Sequence, residues 1–510
     1  MVELPNAASV EHNPSQERLR ELALASMPRL TLTQFGNLNY EAEVTARLKN
    51  STFFVADEEI HQNRISRAEA EEWARLQDAH VGGKAMLLIE GYIGPDPAFR
   101  TGARLFIEAG QPNIAGMQAH LFFPADESWR PHFTVIYTPT LPAPGKPDDR
   151  LILVDLENWV TRVFGSDYFG ESKMGGLRMW NRSVYDQGGL ALHAGLKTYP
   201  ASSTRTGDEE SMLIIGLSGT GKTTTTFRQQ AGSLPVQDDF VALMPGGVIH
   251  TTEAGCFAKT YGLDPADEPT IYGGTTSTDA WLENVSVGPD GVVDFFDTRY
   301  TANGRSTFPL QHVRHRDPSG VPPARYLLIL NRSEHVVPGV SRLRREQIAA
   351  FFMLGETKGT SAGGTAEAGK SLRVPGTNPF FFNDDSWQGN RLLEILATTP
   401  ELEAFVLNTG RVGGEGDGSK KVSIAASSAM VQGIVEGTIE WEIDPDFGYE
   451  AAVSVPGVDD ADLLRPRLLY ESRGRGQEYR TIVDRLKAER VAYLTGYRGL
   501  DAEILAGLHG

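Results

Sequence analysis

The chain has 510 residues, 40% hydrophobic and 22% charged, with a formal net charge of −18 at pH 7. That composition belongs to a globular protein with room for two or three cores, and the acidic balance argues against broad binding to nucleic-acid phosphates or to an anionic membrane. The single cysteine, Cys256, excludes an intrachain disulfide and a multi-cysteine zinc site and reads as a small buried hydrophobe.

Residues 1–16 are polar, carry Pro5 and Pro14, and lack the basic-then-apolar plan of a signal peptide. No apolar run reaches membrane-spanning length, so the expected location is cytoplasmic. A helix is expected over 16–25, and partial helicity over 41–75. Strands are expected at 85–89, 104–107, 119–123, 133–137 and 151–154, with Pro/Gly/Asp punctuation between them. The polar stretch 198–210 reads as a linker, predicting an N-terminal domain over 1–200 and a nucleotide-binding domain over 201–510. Further strands are expected at 239–244, 284–287, 292–296 and 325–330. The glycine-rich stretches 355–369 and 410–419 read as mobile loops, the first a lid candidate. Residues 478–497 have helical spacing through Ile482, Leu486, Val491 and Leu494.

After the apolar run Met212-Leu213-Ile214-Ile215 comes Gly216-Leu217-Ser218-Gly219-Thr220-Gly221-Lys222-Thr223-Thr224, the pattern of a phosphate-binding loop, or P-loop. Glycines let backbone N–H groups wrap a polyphosphate, a lysine supplies charge to its outer phosphates, and a threonine hydroxyl can ligate Mg²⁺. The reading is an ATP-type nucleotide site. Downstream, Asp238-Asp239 offers carboxylates to complete a metal site, and alternation along a strand points only one of them toward the phosphates.

The order of motifs resembles the ATP-dependent phosphoenolpyruvate carboxykinase family. The segments carrying the resemblance are the loop itself, Glu253-Ala254-Gly255-Cys256-Phe257-Ala258-Lys259-Thr260, Asp279-Ala280-Trp281-Leu282-Glu283-Asn284-Val285 and Gly170-Glu171-Ser172-Lys173-Met174-Gly175, with further matches at Leu192-His193, 290–295, 337–343 and Asn408-Thr409-Gly410. The resemblance implies a two-domain α/β architecture with the P-loop in a C-terminal mixed-sheet domain, and a cleft that closes on ATP. It implies decarboxylation of oxaloacetate, a small-molecule substrate, and transfer of the γ-phosphoryl of ATP to the enolate, with Mg²⁺ and a second, Mn²⁺-type metal. By residue, it implies that Lys222, Thr223 and Ser218 attend the nucleotide phosphates, together with Gly216, Gly219, Thr220, Gly221 and Thr224. His193 and Asp239 match ligands of the second metal, with Asp238 beside them. Tyr168 and Lys173 match substrate-facing residues, Lys259 and Glu268 the phosphate and ribose lining, and Arg305 an arginine bridging phosphate and substrate anions. Lys421 and Ser427 fall at the adenine.

Three departures stand out. Met174 occupies the position of a metal-ligating lysine, and a thioether is a poor ligand for Mn²⁺. The family's G-R-S-P-K-D-K segment is absent from residues 91–104, where neither Arg100 nor Arg104 is assigned its role. Phe240-Val241 replaces an acidic–histidine pair. Three readings therefore stay open: a divergent carboxykinase, a kinase on the same fold acting on another small acid or a protein hydroxyl, and a nucleotide-binding protein whose catalysis has decayed.

Overall fold

The computed structural model describes residues 3–508 apart from 59, 61, 218, 359–370, 415 and 417. The chain divides into two compact units. The first comprises Met1–Asp186, Thr251–Ser319 and Phe380–Asn383, and the second the remainder, Gln187–His250, Gly320–Pro379 and Asp384–Gly510. Both are discontinuous. The polar stretch 198–210 lies inside the second unit, where it joins two paired strands, Leu190–Tyr199 and Glu210–Ile215. The segment Thr251–Ser319, expected with the nucleotide half, packs with the N-terminal part.

In the first unit a large mixed sheet runs in the order Ser9–His12, Ala85–Ile93, Thr101–Glu108, Phe133–Thr138, Val160–Phe164, Leu151–Asp155, Thr52–Val55 and Arg64–Ile65. Its central strands are buried along their whole length and mostly apolar, as a sheet covered on both sides requires. The helix Phe169–Asp186 lies on these strands with its first thirteen residues buried, including Glu171 and Lys173. Arg178 neutralises Glu171 at 3.2 Å, and Glu171 also accepts the Leu48 N–H at 2.8 Å, so the buried charge is satisfied. A smaller sheet orders Gly255–Lys259, Arg305–Pro309, Trp281–Glu283, Leu38–Tyr40 and Leu30–Leu32.

The strand expected at 119–123 is instead the end of a helix, Pro112–Leu121, followed by a two-residue strand, Phe123–Pro124. That helix is buried on nearly every side, so its apolar residues show no helical period. Proline at its first turn was the legible start signal. Within 41–75 the helix begins only at Arg67 and runs to Val81, capped by the Ser66 side chain.

The second unit holds a mixed sheet in the order Ile249–Thr251, Phe240–Leu243, Leu190–Tyr199, Glu210–Ile215, Ala324–Asn331, Glu403–Asn408, Val340–Leu343, Glu450–Ser454 and Glu440–Ile443. Glu210–Ile215 is central, antiparallel to Leu190–Tyr199 and parallel to Ala324–Asn331. All six of its residues are buried, which fixes where the following loop leaves the sheet. The lid candidate 355–369 lies mostly outside the described residues. The helix Gly476–Thr495 matches the spacing read over 478–497. Among the described residues no helix is long and apolar enough to cross a membrane.

Candidate active site

In the second unit the central strand ends at Ile215, and the loop runs into the short helix Lys222–Phe227. Gly219 and Gly221 have φ of 84° and 93°, the left-handed backbone that L side chains resist, so these two glycines make the wrap possible. Gly216 and Thr220 complete the turn, with the Thr220 hydroxyl donating to the Leu217 carbonyl at 2.8 Å. Ser218 lies outside the described residues.

Asp238 and Asp239 sit in a bend between the strands Leu234–Gln237 and Phe240–Leu243, not within a strand. Alternation therefore does not apply, and both carboxylates reach the loop side. The Thr223 hydroxyl donates to Asp238 Oδ2 at 2.7 Å, and Lys222 Nζ donates to the Asp238 carbonyl at 2.7 Å. Asp239 Oδ1 lies 3.7 Å from Lys222 Nζ and 3.0 Å from His193 Nε2. His193 Nδ1 faces the Thr377 carbonyl at 3.0 Å, so that nitrogen carries the proton. Its Nε2 is thereby turned toward the Asp239 carboxylate, the arrangement of an imidazole whose second nitrogen is oriented for a cation. Asp238 Oδ1 is buried with no hydrogen-bond partner among the described residues, and burial pushes the carboxyl up despite Lys222 nearby. No group of three or more His, Cys, Asp or Glu is arranged to hold a metal among the described residues.

Beside the loop a cavity of about 170 Å³ is lined by Gly219, Thr220, Gly221, Thr224, Ser427, Arg332 and Thr409. Arg332 Nη1 donates to the Gly219 carbonyl at 3.0 Å, and the Thr409 hydroxyl to the Thr220 carbonyl at 2.8 Å. Arg332 was not legible, because it reaches the loop from a distant strand end, and Thr409 was read only as part of the segment Asn408-Thr409-Gly410, without a role. Lys421, by contrast, is exposed in a two-residue strand and does not line this cavity.

In the first unit Lys173 Nζ lies 2.7 Å from Glu253 Oε1, both side chains almost wholly buried. The Lys173 ammonium and the Arg305 guanidinium each lie over the Phe257 ring, at 5.0 and 5.1 Å. Arg305 occupies the middle of a row across three strands, paired in register with Lys259 on one side and Glu283 on the other. Cross-strand partners project from the same face, so two cations and a carboxyl are gathered there. Burial, with Arg305 alongside, lowers Lys259 to about 8, and burial pushes Glu283 up to about 8. Glu283 Oε1 accepts the Phe169 N–H at 2.8 Å, fixing the start of the helix that carries Lys173.

Tyr168 is buried, its hydroxyl accepting from Asn303 Nδ2 at 3.4 Å, while Arg305 Nη2 donates to Asn303 Oδ1 at 3.0 Å. Asn303 thus ties two predicted residues together, and no motif advertised it. Glu268 is partly exposed at the start of the helix Pro269–Thr275. A second, narrow cavity, of about 20 Å³, is lined by Arg104 and the Lys173–Glu253 pair together with apolar walls that include Phe122, Phe133 and Leu177. Arg104 is half-buried, with Nε donating to the Thr134 hydroxyl at 3.0 Å. Arg100 goes elsewhere, over the Tyr92 ring at 4.0 Å and against Asp126 at 2.7 Å.

A sequence model of phosphoenolpyruvate carboxykinase matches residues 8–461. The chain belongs to the phosphoenolpyruvate carboxykinase family. Among similar proteins is the phosphoenolpyruvate carboxykinase (ATP) of Aeropyrum pernix, 32% identical over 399 residues, covering 76% of this chain and 76% of that one. Phosphoenolpyruvate carboxykinase (ATP) 1 of Moorella thermoacetica is 28% identical over 486 residues, 91% of this chain and 90% of its own. That of Rhizobium rhizogenes is 28% identical over 496 residues, 93% and 89% respectively. Within the family, Met174 is buried on the helix that carries Lys173, one residue along from it.

Proposed function

We propose that the protein decarboxylates oxaloacetate and phosphorylates the resulting enolate with ATP, giving phosphoenolpyruvate, CO₂ and ADP. The observation that carries this reading is the pairing of His193 with Asp239 beside Lys222, the His193 Nδ1 proton being held by a backbone carbonyl. Family membership over residues 8–461 supplies the reaction class.

Phosphoryl transfer is mostly positioning and electrostatics, so the roles follow charge. Lys222 and the loop N–H groups of Gly216 to Thr224 hold the nucleotide phosphates, and Ser427 lines the cavity assigned to the base. Lys259 and Arg305 present positive charge to phosphate and substrate anions, and Tyr168 and Asn303 hold Arg305 in place. Glu268 is assigned to the ribose, Ser218 to the phosphates and Lys421 to the rim of the base. Lys173 faces the organic acid. Arg104, which shares its cavity, takes the substrate carboxylate in place of the missing loop arginine.

The donor set of hydroxyl, carboxylate and imidazole oxygen and nitrogen atoms suits hard divalent ions. The orphaned Asp238 oxygen beside Thr223 fits Mg²⁺, and His193 with Asp239 fits Mn²⁺. When bound, the ions neutralise charge developing on the enolate and the transferred phosphoryl. Met174 removes one family ligand, so binding of the second ion rests on His193 and Asp239.

The test is product analysis with purified protein, oxaloacetate, ATP, Mg²⁺ and Mn²⁺. Phosphoenolpyruvate and ADP in equal amounts support the proposal. ATP turnover that ignores oxaloacetate and responds to another acceptor indicates a kinase on this fold instead.

A further inference from the structure

A separate cavity of about 180 Å³ lies in the second unit, lined by Phe351, Phe447, Lys487, Ala488, Arg490, Val491 and Leu508. Four of these walls, from Lys487 to Val491, belong to the helix Gly476–Thr495, and with Leu508 they lie beyond the residues matched by the family. None of them has a part in the phosphate chemistry assigned above.

At the cavity wall sits Arg490, 3% exposed. Its Nε donates to Glu356 Oε1 at 3.0 Å and its Nη2 to Glu356 Oε2 at 2.7 Å, which makes a two-pronged ion pair. Arg373 adds a second cation to Glu356 at 2.9 Å. Phe351 and Phe447 both lie on the guanidinium, 4.9 and 5.0 Å from its carbon. The aromatic rings keep water from its faces, and Glu356 satisfies one edge. The remaining nitrogen, Nη1, has no hydrogen-bond partner among the described residues. Nη1 is not among the side-chain atoms sealed from solvent, so the otherwise buried guanidinium presents this nitrogen's donors to the cavity, where an acceptor can reach them. Lys487, exposed at the rim, adds a second cation while donating to the Asp446 carbonyl at 2.7 Å.

We propose that this cavity binds a small organic carboxylate with an apolar body. One carboxylate oxygen takes the Arg490 Nη1 hydrogens and Lys487 offsets the charge, while Val491, Leu508 and the two phenylalanines enclose the apolar part. A monoanion is favoured over a phosphate dianion, because the neighbouring Glu356 carboxylate already meets most of the Arg490 charge. The ligand braces Arg490 against Glu356, which begins the hairpin strand Glu356–Lys358 paired with Ser371–Arg373. The site stands apart from the carboxykinase reading and survives its failure.

Benzoate is the probe, and benzamide, of the same shape without the charge, its control. Both are titrated against the full chain by ligand-observed NMR, with ATP saturating so that the nucleotide site is occupied. The expected result is saturable benzoate binding, with benzamide at least about tenfold weaker. Ala488→Trp, which fills the cavity, is expected to abolish benzoate binding, and Lys487→Ala to weaken it about threefold to tenfold, with ATP affinity unchanged in both. Equal binding of benzoate and benzamide overturns the proposal. So does benzoate binding that is unaltered in the variants, or that never saturates. Should Ala488→Trp fail to fold, Lys487→Ala, a change at an exposed side chain, decides the matter.

Discussion

Glu253 and Lys173 form an ion pair of 2.7 Å in which neither side chain is more than 6% exposed. Two charges so far from water are tolerated because each neutralises the other, and the Phe257 face adds to the hold on the ammonium. Removing the carboxylate leaves a buried, uncompensated lysine. Glu253→Ala is therefore expected to lower unfolding stability by about 3 kcal/mol, as breaking a buried pair does. Urea denaturation of the two proteins checks this, and a difference below about 1 kcal/mol would show the pair to be solvated.

The phosphate-lining role proposed for Lys259 predicts a pH dependence of ATP binding. Burial beside Arg305 lowers its pKa from 10.5 to about 8, so the charged form that attracts phosphate is lost as pH rises through about 8. ATP affinity is expected to fall across that interval by about tenfold, the worth of one charge-assisted contact. In Lys259→Arg the fall is expected to vanish, since a guanidinium stays charged. Equilibrium ATP titrations across the interval, with both proteins, provide the comparison.

Glu283 gives stability a pH dependence of definite sign. Burial raises its pKa from 4.5 to about 8, so the folded state holds a proton that the unfolded chain has released. Its contribution is fully present below 4.5 and is lost as pH rises through about 8. Glu283→Gln keeps an oxygen for the Phe169 N–H but cannot ionise. The variant's stability relative to the parent is expected to grow from acid to mildly alkaline pH, by about 1.4 kcal/mol for every tenfold fall in proton concentration within that window. Denaturation curves at several pH values measure it, and a flat difference contradicts the assignment.

His193→Gln is expected to weaken Mn²⁺ activation by about 10- to 100-fold while leaving Mg²⁺–ATP binding near that of the parent. Metal titrations of activity separate the two effects. Chelation of all divalent ions is expected to abolish turnover in both proteins.

The loop from Gly216 to Thr224 was legible because its function depends on local backbone conformation, and glycines at Gly219 and Gly221 announce it. The strands at 133–137 and 151–154 were legible as compact apolar runs. The helix Pro112–Leu121 was not, because burial on all sides erases the period that marks a helix. Within the site, Lys173 and Arg305 could be named from motifs, but their partners could not. Glu253 and Asn303 acquire their contacts only where separate stretches of chain converge, and the proposal of Arg104 over Arg100 rests on which one lines the Lys173 cavity.

Formation of phosphoenolpyruvate tests the central claim most directly. Purified protein supplied with oxaloacetate, ATP, Mg²⁺ and Mn²⁺ is expected to release phosphoenolpyruvate, CO₂ and ADP in equal amounts. Met174→Lys, which restores the family's ligand type, is expected to raise the rate at limiting Mn²⁺ without being required for it. A parent protein that makes no phosphoenolpyruvate, beside a Met174→Lys variant that does, would contradict the claim.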